Sequence, residues 1–144
     1  MRFWDSSAIV PLLMTEQASQ GVSSAYRIDP DMVVWWGTPV ECSSAIARSD
    51  REARLSAGEV EGAFDNLDDL ARAWQEILPI EAIRREAVRI LRVQPLRAAD
   101  ALQLAAARAI GARLSAPVEF VTLDVQLADA ARREGFKVIM PTSP

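Results

Sequence analysis

The run Met32-Val33-Val34-Trp35-Trp36 contains no polar residue. A half-buried strand alternates apolar and polar side chains, so an unbroken apolar stretch of this length belongs to a strand covered on both faces. The turn Asp29-Pro30-Asp31 precedes it. Strands of that kind sit in parallel sheets with helices on both sides. The rest of the chain must therefore supply helices, and further strands between them.

It does so in alternation. Arg2 to Trp4 reads as a first strand. Ala8 to Met14 reads as a short helix with Pro11 in its first turn, and Gln17 to Tyr26 as a second. Beyond the buried strand, helices are predicted over Pro39 to Arg54 and Ala57 to Trp74. In the latter, Val60, Ala63, Phe64, Leu67, Leu70, Ala71 and Trp74 recur with helical spacing,. Ile77 to Ile80 is expected as a short irregular strand, because it contains Pro79. Helices follow over Ala82 to Val93 and Ala98 to Ile110, with Gly111 suited to a left-handed terminus. Glu119 to Leu123 is the next strand, Val125 to Glu134 a helix closed by Gly135, and Lys137 to Met140 the last strand. The expected fold is one α/β domain over residues 1–144, with three α/β/α layers and a mostly parallel sheet.

Composition narrows the chemistry. Of 144 residues, 50% are hydrophobic and 25% charged, enough to bury a real core and too ordinary for a disordered or fibrous chain,. No apolar run approaches the ~20 residues of a membrane span, and Asp5 interrupts the place where a signal peptide would be apolar. A cytoplasmic protein is the expectation. There is no histidine and only one cysteine, Cys42. Imidazole acid–base chemistry, histidine-ligated zinc, intrachain disulfides and cysteine-rich metal sites are thereby excluded. Cys42 is expected to be a small buried hydrophobe. The net charge is −4, from 20 acids against 16 bases, with Lys137 the sole lysine. An acidic total does not advertise a nucleic-acid binder. If four of the acids form one cluster, however, the remainder balances.

Four acids fall at one end of the predicted sheet. Asp5 and Asp124 follow strands directly. Glu41 lies in the first turn after the buried strand. Asp100 opens a helix as a lone acid in Ala98-Ala99-Asp100-Ala101-Leu102. Each has an ordinary use. Asp5 and Asp124 suit helix N-caps. Thr38-Pro39-Val40-Glu41 matches the capping box, as does Ser56-Ala57-Gly58-Glu59. Asp100 suits the helix dipole. Four separate caps need not face one another, though, and carboxylates that converge repel unless a cation joins them. An all-oxygen ligand set selects Mg²⁺ or Mn²⁺ over zinc.

These residues resemble PIN-domain nucleases. Phe3-Trp4-Asp5-Ser6-Ser7-Ala8-Ile9-Val10 resembles the family's first strand and helix, and Thr38-Pro39-Val40-Glu41 its second acidic motif. Leu96-Arg97-Ala98-Ala99-Asp100-Ala101-Leu102-Gln103-Leu104-Ala105-Ala106-Ala107 is similar to its most specific stretch. Phe120-Val121-Thr122-Leu123-Asp124 is similar to its last. The likeness spans nearly the whole chain and is closest to the toxin of a VapBC-type toxin–antitoxin pair. The resemblance implies a Mg²⁺- or Mn²⁺-dependent endoribonuclease, a homodimer, and a small antitoxin that blocks the site. It makes Asp5, Glu41, Asp100 and Asp124 the catalytic acids, with Asp5, Asp100 and Asp124 as metal ligands. Thr122 and Ser6 match hydroxyl positions that orient water or substrate, although a strand threonine and a helix cap are their plainer uses.

Arginine is the expected phosphate contact. Arg97 is the strongest single candidate, with a salt bridge to one of the acids as its alternative. Arg48, Arg51 and Arg54, and Arg85, Arg89 and Arg92, form two stripes that also suit solvated helix faces. Trp4, Trp35 and Trp36 are expected in the core. Leu12, Leu13 and Met14 suit either core or a groove for an antitoxin helix. Two rival readings keep the acids and change their use: a metal- and RNA-binding module without turnover, and a receiver-like phosphoacceptor domain.

Overall fold

The computed structural model describes residues 1–114 and 117–142. Its elements run β1 (Arg2–Trp4), α1 (Ser6–Leu13), α2 (Ser19–Ile28), β2 (Met32–Trp35), α3 (Thr38–Arg51), α4 (Ala57–Ala73), β3 (Gln75–Ile77), α5 (Glu81–Val93), α6 (Ala98–Arg113), β4 (Glu119–Val121), α7 (Val125–Arg133) and β5 (Lys137–Ile139). The sheet has five strands in the order β3-β2-β1-β4-β5, and every neighbouring pair is parallel. The expected three-layer α/β/α architecture is the one observed, with a sheet that is wholly parallel.

Side chains on each strand divide between two cores, as the period of two requires. Phe3, Val33, Trp35 and Phe120 point to one face and pack with α5, α6 and α7. Trp4, Met32, Val34 and Val121 point to the other and pack with α1 to α4. All four residues of β2 are buried, as its apolar run requires. Helices cover the first face after the chain has turned back from β3, and this places a topological switch between β1 and β4. Ligands of open parallel sheets bind outside the carboxyl ends at such a switch. The order also differs from the 2-1-3-4-5 order of receiver-like domains, so that rival loses its fold.

Several expectations shift at their edges. Asp5 caps α1, so that helix starts at Ser6 and Pro11 lies inside it, beyond the first turn. The third strand is Gln75–Ile77, not Ile77 to Ile80. Pro79 ends the pairing, and Leu78 and Ile80 are exposed. β2 stops at Trp35, and Trp36 is 52% exposed, against its expected place in the core. The chain turns at Trp36 and Gly37, which takes Trp36 out of the sheet, and position 37 needs glycine because a Cβ there would lie 2.7 Å from the Trp35 indole nitrogen. α6 continues through Gly111 to Arg113, so Gly111 is helical. Gly135 does take the left-handed conformation, at φ 91°. α3 ends at Arg51, and Arg54 falls past Ala53, at φ 53°, outside the helix face it was expected to share.

Candidate metal and catalytic site

The four acids meet at the switch point. Asp5, Glu41, Asp100 and Asp124 line one cleft of about 400 Å³ together with Ser6, Ser7, Val10, Ser44, Ala45 and Arg48. The strand ends of β1 and β4 supply Asp5 and Asp124; the first turns of α3 and α6 supply Glu41 and Asp100.

Both aspartates at strand ends are helix caps, as their plainer use implied. Asp5 accepts from the Ser7 backbone and Asp124 from the Leu127 backbone. A carboxylate has two oxygens, however, and capping uses one. Every protein bond to Asp5 falls on Oδ2: from Ser7 N at 3.3 Å, from Ser7 Oγ at 2.5 Å and from Thr122 Oγ1 at 2.9 Å. Asp124 caps through Oδ1. Asp5 Oδ1 and Asp124 Oδ2 have no protein donor among the described residues, so capping and ligation are compatible in one side chain.

Thr122 is fully buried and spans the site. Its hydroxyl donates to Asp5 and accepts from the Asp124 backbone at 3.0 Å. It is therefore more than a strand threonine. Ser6 does not cap α1. Its hydroxyl donates to Glu41 Oε1 at 3.1 Å. Glu41 does not close a capping box either: Gly37 is the cap residue of α3 and no side chain bonds there. Instead Glu41 Oε2 accepts from Gln103 Nε2 at 2.8 Å. The matching sequence at Ser56 does form the box, with both reciprocal bonds.

Crowding and burial push Asp5, Glu41 and Asp100 toward their neutral forms. Asp5 is 2% exposed, and its burial raises its pKa against the opposing bonds from Ser7 and Thr122. Glu41 is raised to about 7, first by burial and then by the charge of Asp5, against bonds from Gln103 and Ser6. Asp100 is raised to about 6 by burial and by Asp124 and Asp5, with Arg97 tempering the shift. Burial, with Glu41 and Asp5 behind it, holds the Cys42 thiol up at about 12, so Cys42 is the inert buried residue expected of it.

Among the described residues, no three acidic side chains close on one point as a finished protein cage would. Mg²⁺ does not ask for such a cage. It keeps several waters and takes one or two carboxylates directly, so an open, all-oxygen, acidic cleft fits it. The spare oxygens of Asp5 and Asp124 and the half-buried Asp100 are the ligands on offer.

The cations are placed differently from expectation. Arg48, and not Arg97, lines the cleft. Arg97 is exposed, caps α6 without a side-chain bond, and forms no salt bridge to the acids among the described residues. Arg54 pairs with Glu52 at 2.7 Å, and Arg89 with Glu86 and Glu134, each at 2.7 Å. Arg85 and Arg92 flank a separate shallow hollow on α5. Leu13 and Met14 are core, and Leu12 and the edge of Leu13 border a groove of about 390 Å³ with Tyr26, Asn66, Asp69, Leu70 and Ala73. Sequence reasoning assigned no role to Ser7 or Gln103. A polar side chain inside the apolar run Ala101 to Ala107 was the available signal for Gln103.

No protein-family model and no curated protein sequence matches the chain. Solved structures do. "Crystal Structure of FitAcB from Neisseria gonorrhoeae" aligns over 98% of this chain and 98% of that one, with a TM-score of 0.69 and 17% identity. "Structure of FitAB bound to IR36 DNA fragment" aligns over 96% and 94%, with a TM-score of 0.67 and 16% identity. "Crystal Structure of PAE2754 from Pyrobaculum aerophilum" aligns over 95% and 87%, with a TM-score of 0.61 and 19% identity. At these identities the likeness is one of fold. The chain shares with these proteins, almost end to end, its three-layer α/β/α architecture.

Proposed function

We propose that the chain is a Mg²⁺- or Mn²⁺-dependent endoribonuclease and the toxin of a VapBC-type toxin–antitoxin pair. The observation that carries the reading is the convergence of Asp5, Glu41, Asp100 and Asp124 on one cleft whose sole lining cation, among the described residues, is Arg48. Such a group costs stability when empty and is relieved by a divalent cation. A cation held by Asp5, Asp100 and Asp124 would activate water and offset the charge that develops on a phosphodiester.

The chain's own groups supply the rest. Ser7 and Thr122 hold Asp5 by one oxygen, which fixes where the other stands. Glu41, raised to about 7, is poised to take a proton near neutral pH,. Arg48 on the cleft wall suits a phosphate oxygen,. Arg97, three residues before Asp100, suits a neighbouring phosphate. The proposed partners are an RNA substrate, a second copy of the chain, and a small antitoxin. The groove along Leu12, Leu13, Tyr26 and Leu70 suits an apolar helix face of that antitoxin,. The end-to-end likeness in fold to FitAB, solved bound to a DNA fragment, is compatible with reading this chain as half of a pair.

The test is direct. Purified protein should cut RNA with Mg²⁺ or Mn²⁺ and stop with EDTA. Cleavage that persists in chelator contradicts the mechanism. Metal binding without any cleavage of a broad RNA panel would favour the module without turnover.

A further inference from the structure

Gln103 is fully buried on α6, yet it is not bonded as a structural amide would be. Its Nε2 makes two bonds, to Glu41 Oε2 at 2.8 Å and to Thr38 Oγ1 at 3.2 Å. Its Oε1 has no partner, and among the described residues Trp4 Nε1 is the other buried side-chain polar atom so placed. The amide presents Nε2 to both Glu41 and Thr38, the orientation that serves Glu41 as an acceptor when it is ionised,. A buried amide with an orphaned acceptor costs free energy. A leucine or methionine at this place on a helix of alanines and leucines would avoid that cost. What the glutamine supplies in return is a donor aimed at Glu41.

The other oxygen of Glu41 is held as well, by Ser6 from α1. Glu41 is thus clamped at both oxygens by neutral donors from two different helices. Asp5 differs, since one of its oxygens has no protein donor among the described residues. We propose that Gln103 is a positioning residue that, through Glu41 and from across the α3–α6 contact, sets the site's affinity for a divalent cation. This deepens the metal-nuclease reading and rests on it. Glu41 stands beside the proposed ligands Asp5, Asp100 and Asp124 on the cleft wall, so its held carboxylate reaches the cation by charge or through a bound water. Outer partners that orient a metal site change its affinity by about 10- to 100-fold when removed.

A double-mutant cycle tests it with free Mn²⁺ as the probe, read by calorimetric or paramagnetic titration and requiring no RNA. Gln103→Met removes the donor and the orphaned acceptor together. It should weaken Mn²⁺ binding by about 10-fold while leaving Tm in EDTA unchanged or raised. In a Glu41→Gln background the same substitution should add almost nothing, because its route to the site is gone. Gln103→Asn, one methylene short of Glu41, should show the same weakening in a folded chain if the methionine variant does not fold. Multiplying effects in the double variant, or weakening that tracks a fall in Tm, would overturn the positioning role and leave the metal site standing. A wild-type chain that binds no Mn²⁺ would overturn both the inference and the reading beneath it.

Discussion

Four charged side chains meet in each of two places, and the two groups behave in opposite ways. On the α5–α6–α7 side, Glu86 and Glu134 face Arg89 and Arg108 at 2.5 to 3.3 Å. The bond from Arg89 holds Glu86 below its usual range, and bonds from Arg89 and Gln94 do so for Glu134 in spite of its burial. Charges there are matched, and each supports the ionised form of the next. In the cleft, four acids share one wall arginine, and Asp5, Glu41 and Asp100 are all pushed up. The first group holds helices together. The second also caps α1 and α7 and ties α3 to α1 and α6, but its charges are unmatched, and that repulsion works against the fold,. Matched charge is architecture; unmatched buried charge at a sheet's switch point is a site in waiting.

The sharpest way to break the comparison is to neutralise one member of each group. Asp5→Asn or Asp100→Asn should lower RNA cleavage by about 10²-fold or more, while Glu86→Gln should leave the rate near wild type. Equal losses from both groups, measured as initial rates, would erase the distinction.

The next effect is in the pH dependence of stability, where the groups should have opposite slopes. Glu41 rises from 4.5 to about 7, and Asp100 from 3.8 to about 6. Between those values the folded chain keeps protons that the unfolded chain has released. Stability in EDTA should therefore fall as pH rises from about 4 toward 7. Glu86 and Glu134 are lowered, so what they contribute is present above their ordinary value and lost as pH falls below it,. Melting across pH should show Glu41→Gln flattening the neutral limb and Glu86→Gln the acidic one. A wild-type chain whose Tm climbs steadily from pH 4 to 7 in EDTA would contradict the raised carboxyls.

The smallest effect separates the capping serine Ser56 from Ser6, whose hydroxyl binds Glu41 and caps no helix. Ser56→Ala should cost about 1 kcal/mol in chemical denaturation and leave cleavage alone. Ser6→Ala removes no cap bond, so its effect should fall on metal binding and rate. Reversal of those two outcomes would mean that Ser6, not Ser56, is structural.

Much of this was legible in residues. The apolar run at Met32 declared a doubly covered strand; Asp5, Glu41 and Asp124 declared themselves by their places after strands, and Asp100 as a lone acid among apolar residues. Capping boxes were not separable by pattern. Ser56 and Thr38 head the same spacing, but only the first sits where the helix begins at the next residue; the turn at Gly37 moves the second inside its helix. Trp36 looked like strand because it continues an apolar run, but the strand stops at Trp35 and the chain turns at Trp36 and Gly37. Gln103 could not be assigned, since its meaning depends on an α3 residue 62 positions away. Arg48 was one arginine in a stripe until the fold placed it on the cleft wall.

If the acidic cluster is strained by its own charge and relieved by a divalent cation, stability must report both effects. Melting curves of wild type and Asp100→Asn, with EDTA and with Mg²⁺, test this without knowledge of the RNA. In EDTA the variant should melt higher, having lost one repelling charge from a half-buried place. For a dissociation constant of about 1 mM, roughly 10 mM Mg²⁺ should stabilise wild type by about 1.4 kcal/mol, a shift of a few degrees. The variant should barely respond. A variant that melts lower than wild type in EDTA, with Mg²⁺ moving both proteins equally, would make Asp100 a simple helix-dipole residue and contradict the account.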